Sequence, residues 1–282
     1  MSKLSLAGRG VVVVGAGGGG IGTAIVRMVA SEGAFVTAVD RDAAALDQAM
    51  AAVEAVGARG QRCLLDAGSA EGAREIMAVA ARGGAPLHGL VNVVGGLPSD
   101  RWSSLLDYSE ETLDLLLRSN LKVAFQTSQA FARALSASGQ GGSIVQIATI
   151  AALQGMPYGA GYATSKAALL ALARTMALEW GPLGIRVNAV APGTIQVPKN
   201  AGSGETAQDR AVIPMGRRGK PEDIAGAVLY LLSDLGRGVT ARSAVEYMLN
   251  HQNSFAQVND GSRFFDSSQI FVPLTKIGRA HV

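Results

Sequence analysis

A doubly wound α/β fold, a parallel sheet covered by helices on both faces, is predicted by three features of this chain. Short β-branched runs alternate with longer segments of helical spacing along most of its length. A cluster of glycines stands where the first such run meets the first such helix. The composition, 48% hydrophobic against 17% charged over 282 residues, suits one large, well-covered domain. The strand order expected for this arrangement is 3-2-1-4-5-6.

Residues 10–14 are a buried strand, followed by a glycine-rich turn and a helix over 21–31. A second strand covers 35–39 and ends at Asp40, and an alanine-rich helix covers 43–56. The third strand falls at 62–65, a helix at 70–81 and the fourth strand at 87–94. A long helix over 110–135 is broken or kinked near Ser119 and Asn120. Strand 143–148, helix 161–180 and strand 185–190 complete the alternation. Pro192 and Gly193 open a loop reaching about Pro214, rich in Gly, Ser and Lys and without periodicity, as in a mobile lid. The last helix, 221–232, has Pro221 in its first turn with Glu222 and Asp223 facing its dipole. No internal repeat or linker divides the chain.

Composition also excludes function classes. The formal charge is only +3 and no basic run or basic-aromatic stripe is present, so nucleic acid is not an expected partner. Cys63 is the single cysteine, which rules out an intrachain disulfide, and with three scattered histidines no metal site is expected. No stretch approaches the roughly 18–20 apolar residues of a membrane span, and no secretory leader is recognisable. A reducing, cytoplasmic setting is the expectation.

Chemistry is carried by Tyr162-Ala-Thr-Ser-Lys166, with Thr149 upstream. A phenol and an ammonium four residues apart share one helix face, and adjacent positive charge draws a phenol toward neutrality. The turn Gly15-Ala16-Gly17-Gly18-Gly19-Gly20-Ile21-Gly22 lies between strand and helix, where backbone N–H groups and a helix N-terminus receive a pyrophosphate. Asp40 ends the second strand, where a carboxylate accepts the adenosine ribose hydroxyls and repels a 2′-phosphate. NAD is therefore favoured over NADP, tempered by Arg41, whose guanidinium could bind that phosphate.

With these residues in their order, the chain resembles a classical short-chain dehydrogenase/reductase from about residue 6 to 239. The resemblance rests on the glycine turn, Asp66, Asn92-Val93-Val94-Gly95, Asn120, Thr149, Tyr162/Lys166, Asn188 and Pro192-Gly193. It implies that Gly15, Gly19, Gly20, Ile21 and Gly22 line the pyrophosphate turn, and that Asp66, with Ala67, holds the adenine. Asn92, Val93, Val94 and Gly95 are implied to lie beside the cofactor, with Asn92 supporting the fourth strand. Tyr162 is the implied acid/base, Lys166 the partner of the nicotinamide ribose, and Asn120 the anchor of a water in a proton relay. Pro192, Gly193, Thr194 and Ile195 are implied to flank the nicotinamide.

The implied activity is hydride transfer between NAD and a secondary alcohol or ketone, in a homo-oligomer, dimer or tetramer. A nucleotide-binding protein without turnover is the alternative. A nucleotide-sugar epimerase shares the Tyr/Lys pair but needs a larger C-terminal substrate domain. Thr149, Ala151, Gln154, Met156, Tyr158 and Tyr162 are the candidate substrate contacts, a mostly apolar set suited to a neutral or weakly polar molecule.

Departures from the family pattern are Val14 in place of threonine, a glycine turn one residue longer, Val94 at a position usually alanine, and Thr149 for serine. Threonine keeps the hydroxyl but adds a methyl and stiffens χ1, so activity is expected to survive with modest loss or altered preference. Residues 1–240 form the expected catalytic domain. Residues 241–282 depart from the family: four of the seven phenylalanines fall there, and the last seven residues match one reading of a sequencing adapter. They are expected to be a frame-shifted or chimeric translation, poorly packed, with the usual seventh strand missing or improvised.

Overall fold

The computed structural model describes residues 3–198 and 206–240. Its six strands are β1 (Gly10–Val14), β2 (Phe35–Asp40), β3 (Gly60–Leu64), β4 (Leu87–Asn92), β5 (Gly142–Ile147) and β6 (Ile185–Val190). They form one sheet in the order β3-β2-β1-β4-β5-β6, every pairing parallel, as expected. The helices are α1 (Ile21–Ser31), α2 (Ala43–Glu54), α3 (Ala70–Ala81), α4 (Glu110–Leu117), α5 (Val123–Ser138), α6 (Ala160–Trp180), α7 (Ala207–Val212) and α8 (Pro221–Leu232).

The central strand shows why the sequence folds this way. Gly-Val-Val-Val-Val does not alternate with polar residues because β1 is buried at every position. Val11 and Val13 join the core made with Ile25 and Val29 of α1, Leu46 of α2 and Val228 of α8. Val12 and Val14 point to the other face and pack with Ile76 of α3, Phe131 of α5 and Leu170 of α6. Side-chain caps start several helices: Asp42 accepts from Ala45 N at 3.0 Å for α2, and Ser69 from Gly72 N at 2.9 Å for α3.

The order reverses between β1 and β4, since β2 follows β1 on one side and β4 crosses to the other. The crevice at the carboxyl ends of these two strands is where this architecture binds ligands. β4 stops at Asn92, two residues sooner than the apolar run suggests, because Val93 and Val94 both donate to Val14 O, at 2.9 and 3.1 Å.

Three further features of the elements have physical causes. β3 begins at Gly60 because pairing with Val36 overrides the low strand propensity of glycine. The bend expected near Ser119 and Asn120 is a π turn over Arg118–Lys122, in which Val123 N donates to Arg118 O. The aperiodic lid contains α7, six residues being too few to show a period. Its signal was the Thr206/Asp209 capping box, and Arg218 grips Asp209 at 2.7 Å.

The chain reaches the open edge of β6 at its last described residues. There Val239 O accepts from Asn188 Nδ2 at 2.9 Å, and Thr240 Oγ1 accepts from Val187 N at 3.1 Å. The expectations for 241–282, including the seventh strand and the foreign translation, lie outside the described residues, as does the lid segment 199–205. No helix among the described residues is long and apolar enough to cross a membrane.

Candidate active site

The glycine turn leaves β1 and enters α1 under tight packing. Gly15 has φ +82, and a Cβ there would lie 2.8 Å from Val94 N. A Cβ on Gly22 would overlap the carbonyl oxygen of Gly15. Only glycine satisfies both contacts, so turn and helix approach each other closely. Gly15 N and Ala16 N donate to Val39 O at 2.9 and 3.1 Å, tying the turn to β2. α1 starts at Gly20 with no side-chain cap and no acidic residue in its first turn. Its terminal N–H groups and dipole suit a pyrophosphate. Gly19 and Ile21 flank that start.

Asp40 and Asp66 stand at the carboxyl ends of neighbouring strands. Both oxygens of Asp40 accept from backbone: Oδ2 from Gly17 N and Oδ1 from Asp42 N, each at 3.1 Å. Arg41 beside it is exposed. Asp66 is exposed and turns the chain through Gly68 N, 2.9 Å from Oδ1, with Ala67 buried behind it.

Asn92 is the last residue of β4. It is 2% exposed, and its amide serves the layer between sheet and α5. Oδ1 accepts from Thr127 Oγ1 at 2.8 Å and Nδ2 donates to Ser128 Oγ at 3.1 Å. Gln146 Nε2 donates to the same serine at 2.8 Å. Asn92 supports β4 from beneath, while Val93, Val94 and Gly95 form the shelf above.

β5, α6 and the π turn bring together the four residues singled out for chemistry. The Thr149 hydroxyl lies near enough to the Tyr162 phenol to favour its ionised form. Thr149 Oγ1 also accepts from Ala151 N at 3.3 Å. That leaves the threonine proton to point at Tyr162 or at a bound oxygen.

Lys166 is 3% exposed and donates to Ile147 O at 2.7 Å. Burial lowers its pKa from 10.5 to about 8. Asn120 is fully buried: Oδ1 accepts from Gly96 N at 2.7 Å, and Nδ2 donates to Leu116 O at 3.0 Å and Gly96 O at 3.2 Å. Its side chain thus bridges the helix bend and clamps the loop after β4. A Cβ on Gly95 would meet Asn120 Oδ1 and lie 3.1 Å from Lys166 Nζ, so these groups are neighbours.

Burial raises the Tyr162 pKa, with the nearby Thr149 hydroxyl opposing it, while the lysine ammonium is held by Ile147 O.

On the other wall, Ile150 N donates to Pro192 O at 3.0 Å, joining the two strand ends. Gly193 and Thr194 lead to Ile195, 8% exposed, which bridges to Gly219. On the substrate side Gln154 and Met156 are half-buried, and Tyr158 is exposed with φ +63, a left-handed conformation unusual for a side chain of this size. Strain of this kind gathers at functional sites.

Sequence reasoning missed several participants. Val197 and Pro198 lie against the glycine turn: side chains on Gly20 and Gly19 would meet them at 3.4 and 3.3 Å. Thr127, Ser128 and Gln146 hold Asn92, and Gly96 receives Asn120. None carries a local signal, because each contact joins segments distant in sequence. Among the described residues no cluster of His, Cys, Asp or Glu could hold a metal.

The fold and the site define a Rossmann-type nucleotide-dependent oxidoreductase, and comparison with known proteins gives the family. A family model described as enoyl-(acyl carrier protein) reductase matches residues 15–245. The (3R)-3-hydroxyacyl-CoA dehydrogenase of Mus musculus is 36% identical over 251 residues, covering 86% of this chain and 96% of that protein. L-rhamnose 1-dehydrogenase (NAD(P)(+)) of Azotobacter vinelandii is 34% identical over 241 residues, covering 83% and 93%. The solved structure of 7α-hydroxysteroid dehydrogenase complexed with NADH and 7-oxo glycochenodeoxycholic acid superposes with a TM-score of 0.80 at 29% identity, covering 89% and 97%. The chain belongs to the classical short-chain dehydrogenase/reductase family and is an NAD(P)-dependent oxidoreductase acting on CH–OH donors.

Proposed function

We propose that this protein interconverts a secondary alcohol and its ketone with NAD in preference to NADP, and that Tyr162 is its general acid/base. The observation that carries the proposal is the Thr149 hydroxyl set near the Tyr162 phenol, one helical turn along α6 from buried Lys166, whose Nζ lies by Gly95 just after β4. A nicotinamide dinucleotide fits this chain because the cradle at Gly15 and Gly22 has no room for a side chain and α1 begins uncapped. When bound, that cofactor supplies the hydride acceptor or donor and, when oxidised, a positive charge.

The chain's own residues handle orientation and the proton. Gly15, Gly19, Gly20, Ile21 and Gly22 receive the pyrophosphate, Asp40 the adenosine ribose, and Asp66 with Ala67 the adenine. Val93 to Gly95 and Pro192 to Ile195 would flank the nicotinamide half, the Thr194 hydroxyl being the candidate partner of its carboxamide. Thr149 donates to the substrate oxygen and fixes it against Tyr162. Tyr162 Oη takes the alcohol proton in oxidation and returns it in reduction. The raised Tyr162 pKa keeps this phenol protonated in the chain alone, so proton uptake begins only after positive charge arrives. Lys166, held by Ile147 O at 2.7 Å, would bind the nicotinamide ribose, and Asn120 would anchor a water on the route to solvent.

The substrate flank of Ala151, Gln154, Met156 and Tyr158 favours a neutral or weakly polar body. Of the molecules in the relatives' names, the acyl chain and the steroid rings have that character, whereas coenzyme A and the glycine-conjugated acid are charged. Homo-oligomerisation is supported by a groove of about 720 Å³ between α4–α5 and α6, lined by Leu117, Leu121, Phe125 and Leu172. The lone, buried Cys63 accords with a reducing cytoplasm. A panel of secondary alcohols and ketones followed by nicotinamide absorbance tests the activity. Turnover of at least one with NAD is expected, and cofactor binding with no turnover across the panel would leave only the non-catalytic alternative.

A further inference from the structure

We propose that Gly17 sets the cofactor preference by holding the carboxylate of Asp40 in place. The proposal rests on the reading in which Asp40 receives the adenosine ribose. A carboxylate has two oxygens with about four acceptor positions between them. In the structure one position on each oxygen is filled, Oδ2 by Gly17 N and Oδ1 by Asp42 N. Each oxygen keeps a position for one hydroxyl of a vicinal diol, and hydrogen bonds to a charged acceptor are the strong ones. A 2′-phosphate removes one of those hydroxyl donors and brings like charge against Asp40. Because the two tethers come from different segments, the turn and the start of α2, the carboxylate cannot rotate away without breaking both.

The packing singles out Gly17 within a run of look-alike glycines. A Cβ on Gly17 would lie 2.5 Å from the carbonyl carbon, the Cβ and the oxygen of Ala45, in the first turn of α2. A Cβ on the next residue, Gly18, would meet nothing within 4 Å. Any side chain at Gly17 must therefore lift the turn from α2 and withdraw the N–H from Asp40. With Asp40 released, Arg41, next in the chain and exposed, is a cation available to a 2′-phosphate. Gly17 is thus a positioning residue acting through Asp40.

The test is a double-mutant cycle on the full chain, with Gly17→Ala, Asp40→Ala and the pair, measuring KM and kcat with NAD and with NADP. Gly17→Ala should raise KM for NAD roughly tenfold, the scale of one charge-assisted hydrogen bond. KM for NADP should stay level or fall, and kcat should change far less than kcat/KM. In the Asp40→Ala background the same change should have little further effect. Deletion of Gly18 shortens the turn without adding an atom against α2 and should shift the NAD/NADP ratio in the same direction, so a poorly folding Gly17→Ala does not end the test. Equal losses with NAD and NADP, or effects that add in the double variant, would overturn the role of Gly17. A wild type with no nicotinamide-dependent turnover, or one preferring NADP, would overturn instead the function from which it starts.

Discussion

Replacing Lys166 by methionine should stabilise the protein while removing its chemistry. The ammonium is 3% exposed and hydrogen-bonds Ile147 O. Its pKa falls from 10.5 to about 8 through burial, a separation of about 2.5. At about 1.36 kcal/mol for each pH unit, holding the buried charge costs about 3 kcal/mol at neutral pH. Methionine has similar length and no charge, but it forfeits the hydrogen bond to Ile147 O, a loss of about 1–2 kcal/mol.

The net expectation at pH 7 is a gain of about 1–2 kcal/mol, or roughly 3–6 °C in Tm for a domain of this size. The sign with pH follows from proton counts. Between about 8 and 10.5 the unfolded chain holds the lysine proton that the folded chain releases, so wild-type stability rises across that window and the penalty is complete below it. The Lys166→Met advantage should therefore be largest below pH 8, vanish between about pH 9 and 10, and become a deficit of about 1–2 kcal/mol, the lost hydrogen bond, as pH approaches 10.5. Denaturant unfolding at pH 7 and pH 10 with the cofactor-free protein, paired with turnover, measures this. A variant less stable than wild type at pH 7, or one with the same pH slope, would refute the reasoning.

Other outcomes follow from the same geometry. Thr149→Val should lower kcat/KM by about two orders of magnitude while leaving NADH affinity intact, and Thr149→Ser should retain most activity, as read by steady-state kinetics. Gly22→Ala, which sets a methyl on the carbonyl of Gly15, should abolish NADH binding measured by fluorescence titration. Asn92→Ala removes the bonds to Thr127 and Ser128, which keep Val123 O and Gln146, and should destabilise by about 1–2 kcal/mol in denaturant unfolding.

The parts of this molecule that could be read from the sequence are those whose signal is local. Four valines in a row mark a strand buried on both faces, a strand–glycines–helix order marks the crevice, and a four-residue spacing puts Tyr162 and Lys166 on one side of α6. Contacts between distant segments left no such mark. Ile147 O, which holds the lysine, and Gly96, which holds Asn120, are backbone groups any residue could supply. Asn92 carries a family signature, yet Thr127 and Ser128, ordinary small residues inside α5, determine where its amide points. The tether from Gly17 to Asp40 was hidden for a similar reason, since four consecutive glycines differ only in what surrounds them.

The most direct test of the central claim compares wild type with Tyr162→Phe in single-turnover reduction of a ketone substrate by bound NADH. Removing the phenol oxygen alone should slow hydride transfer by about two to four orders of magnitude, with NADH affinity within a few-fold of wild type. Hydride transfer at the wild-type rate in Tyr162→Phe would contradict the account, because the proton would then reach the carbonyl oxygen from elsewhere.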